Sequence, residues 1–423
     1  MSNKKVVWLI CMNVQPPEID THLRHQKFAK YLKDDGFEVY IIGASYLHYT
    51  KTQLITGNEE FIIKKYPDLN YIFINVTEYH ENAGLKRLYS IFQFSWNLFR
   101  CRNKLPKPDV IVHNTRIPCD LPIIWTARKL KAKYITETWD LWPLSFVASG
   151  VLSAKNPLMW LFYKVEKYMY SHADSCVFTM EGCKDYIKDH KWDKEHGGPI
   201  DLSKVHYINN GIDIEDIAEQ REQYQLHIPE LEDKDTIKIV YLGSIGHVNA
   251  VDVIIQTAKL FSDRPKVRFL IFGKGGEREK LEMIVKDEKI DNVKFLNEWV
   301  EIMYVPYILS RADINIMNYV HFATLKYGGS QGKLFQYLAA GKPIVSNNKM
   351  GYDVVDRYGA GIAENIDTPE QYKEIICTIL DDPEQYKQMS IACEQASKMF
   401  DLKNLYGDFK VVLDKVIGNE GTV

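Results

Sequence analysis

The stretch GGSQGKLFQYLAAGKPIVSNN, residues 328–348, holds the residues best spaced for chemistry. Glycines crowd its start, so the backbone can come close to a ligand. Lys333 falls where a helix should begin, and a lone cation there opposes the helix dipole unless an anion arrives. Gln336 lies three residues on, on the same helical face, with an amide that can donate to and accept from sugar hydroxyls. The bland alternative is a glycine-rich connection carrying a solvated lysine.

Similar loops recur. Gly243-Ser244-Ile245-Gly246-His247, Gly273-Lys274-Gly275-Gly276 and Asn297-Glu298-Trp299 each follow an apolar run. Ser244 and Gly246 could donate to a phosphate, although a plain turn with a surface His247 also fits. Lys274 suits a diphosphate or open water. Trp299 suits a base-stacking platform or the core. In the first half, KYITETWDLWPLS (133–145) places Glu137 and Asp140 three residues apart among aromatics. Asp140 could cap a helix. As functional groups, the two are expected to be carboxylates raised in pKa by apolar neighbours, used as acid, base or hydroxyl anchor. Arg24 could meet an anionic acceptor or form an ordinary surface pair.

The elements that must position these groups alternate. VVWLIC (6–11), FEVYIIG (37–43), YIFINV (71–76), DVIVHN (109–114), KYITE (133–137) and SCVFTM (175–180) read as strands, with helical periods between most of them. IKIVYLG (237–243), VRFLIFG (267–273), VKFLN (293–297), INIMN (314–318) and PIVSN (343–347) repeat the scheme. Strands apolar throughout suit parallel sheets covered on both faces by helices. The charged PELEDKD (229–235) reads as a linker. Two Rossmann-like α/β domains in tandem follow, and ligands of such sheets bind beyond the carboxyl ends of the strands.

With 423 residues the chain exceeds one compact core. A net charge of -3 disfavours a nucleic-acid binder. Seven scattered cysteines without metal spacing fit free thiols in a reducing cytosol. No metal site is expected: HExxH is missing, and the Asp233-Lys234-Asp235 pair sits in the linker. The apolar run at 6–11 is too short for a signal peptide, and no stretch approaches 18 apolar residues. The segment 85–107 carries Lys86, Arg87, Arg100, Arg102, Lys104 and Lys107, no acidic residue, and Phe92, Phe94, Trp96 and Phe99. It is either a helix packed on the sheet or an interfacial helix on anionic lipid.

The chain resembles a family-4 glycosyltransferase of the GT-B fold, and is similar to the bacterial branch that builds O-antigens and capsules. The carriers are TETWDLWPLS (136–145), VEKYMYSHADSCVFTM (165–180), INNGIDIED (208–216), YLGSIGHVNAVDVIIQTAK (241–259), IFGKGGEREKL (271–281), VKFLNEWV (293–300), SRADINIM (310–317) and KLFQYLAAGKPIV (333–345). Their order covers nearly the whole length. The resemblance implies two Rossmann-like domains facing each other across a cleft: an acceptor domain over 1–212, a nucleotide-sugar domain over 213–399, and a final helix within 400–423 returning to the first. It implies retaining, metal-free transfer from a nucleotide sugar of the UDP class, with no cofactor, to a growing glycan or polyprenyl-diphosphate-linked acceptor at the cytosolic membrane face.

By position, the resemblance puts Ser244, Gly246 and His247 near the diphosphate and Gly273 and Gly275 in the second glycine loop. Trp299 and Val300 would hold the base. Gly332, Lys333 and Leu334 would form the phosphate and ribose loop. Asp140 and Glu137 would be the acceptor-side carboxylates. Gly328 and Gln336 stand where many relatives carry two glutamates, and Ser244 and Asn249 where many carry an arginine and a lysine. Those departures keep open a non-catalytic partner subunit. A sugar-nucleotide epimerase matches less well.

Overall fold

The computed structural model describes residues 4–418 except 21–23, 81–83 and 149. The chain divides into two compact units. Residues up to 209, together with the chain from 405 onward, form the first, and residues 210–404 form the second.

The first unit is built on eight strands: β1 (Val6–Ile10), β2 (Glu38–Ala44), β5 (Phe61–Lys65), β6 (Asn70–Ile74), β7 (Val110–Asn114), β8 (Lys133–Thr138), β9 (Ser175–Phe178) and β10 (Val205–Tyr207). A small antiparallel pair, β3 (Tyr46–Leu47) and β4 (Thr52–Gln53), stands apart. The sheet order is β10-β9-β8-β7-β1-β2-β6-β5. Pairing is parallel except at the edge, where β5 runs antiparallel to β6. β1 and β7 are buried almost throughout, which is why VVWLI and VIVHN read as unbroken apolar runs rather than alternating ones. β5 is only half-buried and leaves a far weaker signature. The chain returns at its C-terminus through the helix Leu402–Ile417. Within the first unit, Tyr406 and Phe409 pack against Phe28 at 5.6 and 5.3 Å between ring centres, and the Tyr406 hydroxyl donates to Asp35 at 2.6 Å.

The second unit carries β11 (Ile237–Leu242), β12 (Val267–Phe272), β13 (Val293–Phe295), β14 (Ile314–Met317), β15 (Ile344–Ser346) and β16 (Gly361–Ala363), paired in parallel in the order β13-β12-β11-β14-β15-β16. Successive side chains face opposite sides. Val240, Leu270 and Phe272 join one buried cluster, while Ile239, Tyr241, Phe269 and Ile271 join the other. Each such side chain stabilises the fold by roughly 1.5–3 kcal/mol, so both faces must be covered by helices. The segment expected to be a linker is no free tether: Pro229–Glu232 forms a helical turn, and Leu231 is fully buried in the core of this unit. Its apolar leucine, not its flanking charges, decides its place.

In both sheets the strand order reverses, at β1 in the first and at β11 in the second. The crevice beyond the carboxyl ends at such a reversal is where ligands of open α/β sheets bind.

Candidate functional site

Three loops of the second unit stack at that edge. The Gly243 amide donates to Phe272, Gly273 to Asn297, and Ile245 to Lys274, at 3.0, 3.0 and 2.8 Å. Gly273 has φ +125°, and a Cβ there would run into the Gly243 carbonyl. A Cβ on Gly275 would run into the Ile245 backbone. Both glycines are therefore required by backbone packing, whatever they also offer a ligand. Arg278, which no local pattern singles out, ties the loops together. It is buried, and its Nη1 and Nη2 donate to the carbonyls of Gly273 and Leu296 at 2.5 and 2.7 Å.

Lys333 is the second residue of the helix Gly332–Ala339. Leu334, Phe335, Tyr337 and Leu338 bury one face of that helix, leaving Lys333 and Gln336 half-buried on the other. The Lys333 ammonium donates to the Tyr241 hydroxyl at 3.0 Å and lies 4.5 Å from that ring's centre. A Cβ on Gly243 would collide with its side chain. Among the described residues no carboxylate pairs with it. Burial alone lowers its pKa to about 8, because desolvation disfavours a charge that no partner offsets. The Gln331 side chain, at the helix start, makes no capping hydrogen bond. Gly332 is open, and a Cβ there would meet nothing.

The other donor-side residues are arranged less uniformly. Ser244 donates its hydroxyl to Asn249 at 3.0 Å, so that oxygen is already engaged, and the Gly246 amide points to the same Asn249 oxygen at 3.4 Å. His247 is exposed and opens a short 3-10 turn. Trp299 is not core: it is 66% exposed, with the Lys274 ammonium 4.4 Å from its ring centre. Val300 packs on the core from its edge. Leu334 is buried and its amide donates to Gln331 at 3.0 Å, so it anchors the helix and leaves the first-turn groups Gly332 and Lys333 forward.

The carboxylates of the first unit depart from expectation. Glu137 is 2% exposed, inside β8, with Arg24 Nε at 2.9 Å from one oxygen and His25 Nε2 at 3.1 Å from the other. Burial pushes its pKa up, but Arg24 and His25 outweigh that and hold it at about 2. The expected raised carboxyl is thus corrected to a depressed one: its neighbours are cations, not the aromatics adjacent in sequence. Arg24 is 6% exposed and forms no surface pair. It also donates to the Asn209 carbonyl at 2.5 Å and lies 4.3 Å from the Phe28 ring centre. His25 was not foreseen. It stacks on Trp139 at 5.1 Å, and Cys11 and Glu137 overcome its burial to raise it to about 10. Asp140 behaves nearer to expectation. It is surface-accessible yet crowded enough for desolvation to raise its carboxyl, with Arg116 opposing.

Comparison with known proteins bears on the family and the fold. The family description "Glycosyltransferase Family 4" matches residues 26–216, and "Glycosyl transferases group 1" matches residues 236–382. The chain is a family-4 glycosyltransferase. No curated protein matches it. Among solved structures, Anabaena HepE in complex with UDP and glucose is similar at 14% identity and TM-score 0.64, covering 97% of this chain and 100% of that one. A UDP-forming α,α-trehalose-phosphate synthase from Burkholderia vietnamiensis aligns at 13% identity and TM-score 0.72, over 99% of both chains. A third, trehalose-6-phosphate from E. coli bound with UDP-2-fluoro glucose, aligns at 12% identity and TM-score 0.70, over 98% of this glycosyltransferase and 99% of that chain. At such identities the likeness concerns the fold, which is GT-B.

Proposed function

We propose that this glycosyltransferase moves a sugar from a UDP-sugar to a growing lipid-linked glycan, with retention of anomeric configuration and without a metal. The observation that carries the donor reading is Lys333: a desolvated ammonium without an ion-pair partner among the described residues, in the first turn of a helix, beside two glycine loops at the strand-order reversal. A diphosphate would restore its full charge, and the helix start adds N–H groups pointing the same way. As the sugar leaves, negative charge grows on the departing phosphate, and a fixed cation stabilises that charge more than it stabilises the bound donor. Gln336, on the same face, would hold ribose hydroxyls, and exposed Trp299 would stack on the base. Several similar structures hold UDP, UDP-glucose or its 2-fluoro analogue, which favours the uridine class.

The lipid-linked acceptor is supported by the helix Leu85–Cys101. Leu85, Leu88, Tyr89, Phe92 and Trp96 are exposed along one stripe, and Trp125 of the neighbouring helix Leu121–Leu130 is exposed as well. With the basic residues of 85–107, this face suits peripheral attachment to an anionic leaflet. Among the described residues no helix is long and apolar enough to cross a membrane.

The test is thermal unfolding against UDP-, GDP-, ADP- and CMP-sugars, because a ligand bound only by the native state raises the midpoint. UDP-sugars should raise it in the wild type and by clearly less at the same concentration in Lys333→Ala. No rise with any nucleotide would overturn the donor assignment. The product's anomeric configuration, read by NMR after transfer in EDTA, checks retention and metal independence together.

A further inference from the structure

A lysine carries its ammonium on a flexible four-carbon stem, so it loses rotamer freedom on meeting an anion unless the fold has fixed it beforehand. Lys333 is fixed by Tyr241. That residue lies one position before the end of β11 and is 1% exposed. Its hydroxyl is 3.0 Å from Lys333 Nζ and 2.7 Å from the Ser244 carbonyl oxygen. A carbonyl oxygen only accepts and an ammonium only donates, so the phenol proton points to Ser244 and a lone pair to Lys333. The ring takes the same cation at 4.5 Å from its centre. Gly243 leaves the space, since a Cβ there would collide with the lysine stem. Ser244 is held in turn. Its hydroxyl and the Gly246 amide both donate to Asn249 Oδ1, at 3.0 and 3.4 Å. The flanking amides of Gly243 and Ile245 donate to Phe272 and Lys274. One tyrosine therefore joins the first turn of the helix Gly332–Ala339 to the first glycine loop.

The anchor is neutral. Burial first, and then Tyr337, hold the Tyr241 hydroxyl well above its ordinary range. Tyr372, which feels both of those rings, is pushed up by burial as well. Among the described residues no charged group acts on Lys333, and burial alone lowers its pKa. A carboxylate in place of the phenol would also fix the lysine, but it would quench the charge, as Glu137 does for Arg24. A hydroxyl fixes the ammonium and leaves two of its three N–H donors and its whole charge for a ligand.

We propose that Tyr241 is a positioning residue for transfer: it presets the Lys333 ammonium against the first glycine loop without neutralising it, so that the donor's diphosphate meets cation and loop as one preformed unit. This deepens the donor reading and rests on it for the identity of the anion. The link between Tyr241 and Lys333 is independent of that reading.

Two measurements on the full-length chain test it. Tyr241→Phe removes only the hydroxyl, and Gly243→Ala displaces the lysine stem while keeping the hydroxyl. The first measurement needs no nucleotide. Acetic anhydride acylates the free amine and not the ammonium, and mass spectrometry reads the pH at which Lys333 becomes labelled. That pH should be about 8 in the wild type and lower in Tyr241→Phe, because the ammonium loses a charge-assisted hydrogen bond and the free amine only a weaker one. An unchanged labelling midpoint would overturn the proposal. The second is calorimetric titration with UDP. Each variant should weaken UDP roughly fivefold near neutral pH. Neither should weaken it further in a Lys333→Ala chain, since residues that act through one group are not additive. Equal affinity in the wild type and Tyr241→Phe would overturn the proposal. So would a loss that persists undiminished in Lys333→Ala, which would make Tyr241 a support for the loop alone. Gly243→Ala carries the same UDP comparison should Tyr241→Phe not fold. If Lys333→Ala itself binds UDP as tightly as the wild type, the donor assignment fails and this proposal with it, an outcome distinct from a failure confined to Tyr241.

Discussion

Glu137 and Lys333 stand at comparable places, each near the carboxyl end of a parallel sheet, and the fold treats them in opposite ways. Glu137 is enclosed by Arg24 and His25, and its charge is neutralised by groups the fold brings to it. Among the described residues, Lys333 receives a tyrosine hydroxyl but no carboxylate, and it bears the cost of burial. Burial lowers the pKa of a lysine left without counter-charge and is overridden where counter-charge is supplied. A saturated cluster stores stability, whereas an unsaturated cation stores affinity for whatever anion completes it. The lesson is that a charged residue at a strand end is read by its partners before its position.

Breaking the saturated side should have the largest effect. Glu137→Gln leaves Arg24 and His25 buried against a neutral amide, and is expected to destabilise the chain by about 3–5 kcal/mol in chemical denaturation. A loss under about 1 kcal/mol would mean the cluster relaxes into water. pH checks the same cluster. The Glu137 contribution is complete above its ordinary value of 4.5 and lost as pH falls toward about 2. The His25 contribution is complete below its ordinary value of 6.5 and lost as pH rises through about 10. Unfolding midpoints across pH should therefore be highest between those ordinary values as far as this cluster is concerned.

Gly273→Ala attacks the frame of the unsaturated side. Its φ of +125° and the approach of the Gly243 carbonyl predict a loss of about 2 kcal/mol or more in stability, together with weaker UDP binding. Lys333→Ala then separates affinity from stability. Removing a charge-assisted contact worth about 1.5–3 kcal/mol should weaken UDP about 10- to 150-fold. The unfolding midpoint without ligand should hold or rise, since a desolvated charge is gone. A large drop in that midpoint would recast Lys333 as structural.

The finer tests are smaller. UDP favours the protonated ammonium, so its affinity should fall as pH rises past about 8, where free Lys333 loses its proton. An affinity flat from pH 7 to 9 would place the diphosphate elsewhere. Gln336→Ala removes neutral hydrogen bonds and should cost about 1 kcal/mol, roughly fivefold in UDP affinity, and less in the binding of inorganic pyrophosphate, which has no ribose.

Much of this was legible in the chain itself. The apolar runs at Val6–Ile10, Ile237–Leu242 and Val267–Phe272 announce buried parallel strands, since a strand covered on both faces has no polar side to show. The strands at Phe61–Lys65, Val205–Tyr207 and Gly361–Ala363 escaped notice, being short or half-exposed and so without a period to count. The Lys333 loop could be found because its glycines, cation and helix start lie within a few residues of one another. Arg278 could not, because its partners Gly273 and Leu296 end different strands.

By itself, then, the sequence determined the alternation of strands and helices, the glycine loops and the lone lysine, all of which are written in local pattern and backbone freedom. Tertiary structure alone decided which charges are answered. Arg24 and Glu137 lie 113 positions apart, and no local rule brings them within 2.9 Å. Only the parallel sheet does, by setting the end of one strand beside the first turn of a distant helix. The sign of the Glu137 shift follows from that meeting, because a pKa reports neighbours in space and not in sequence.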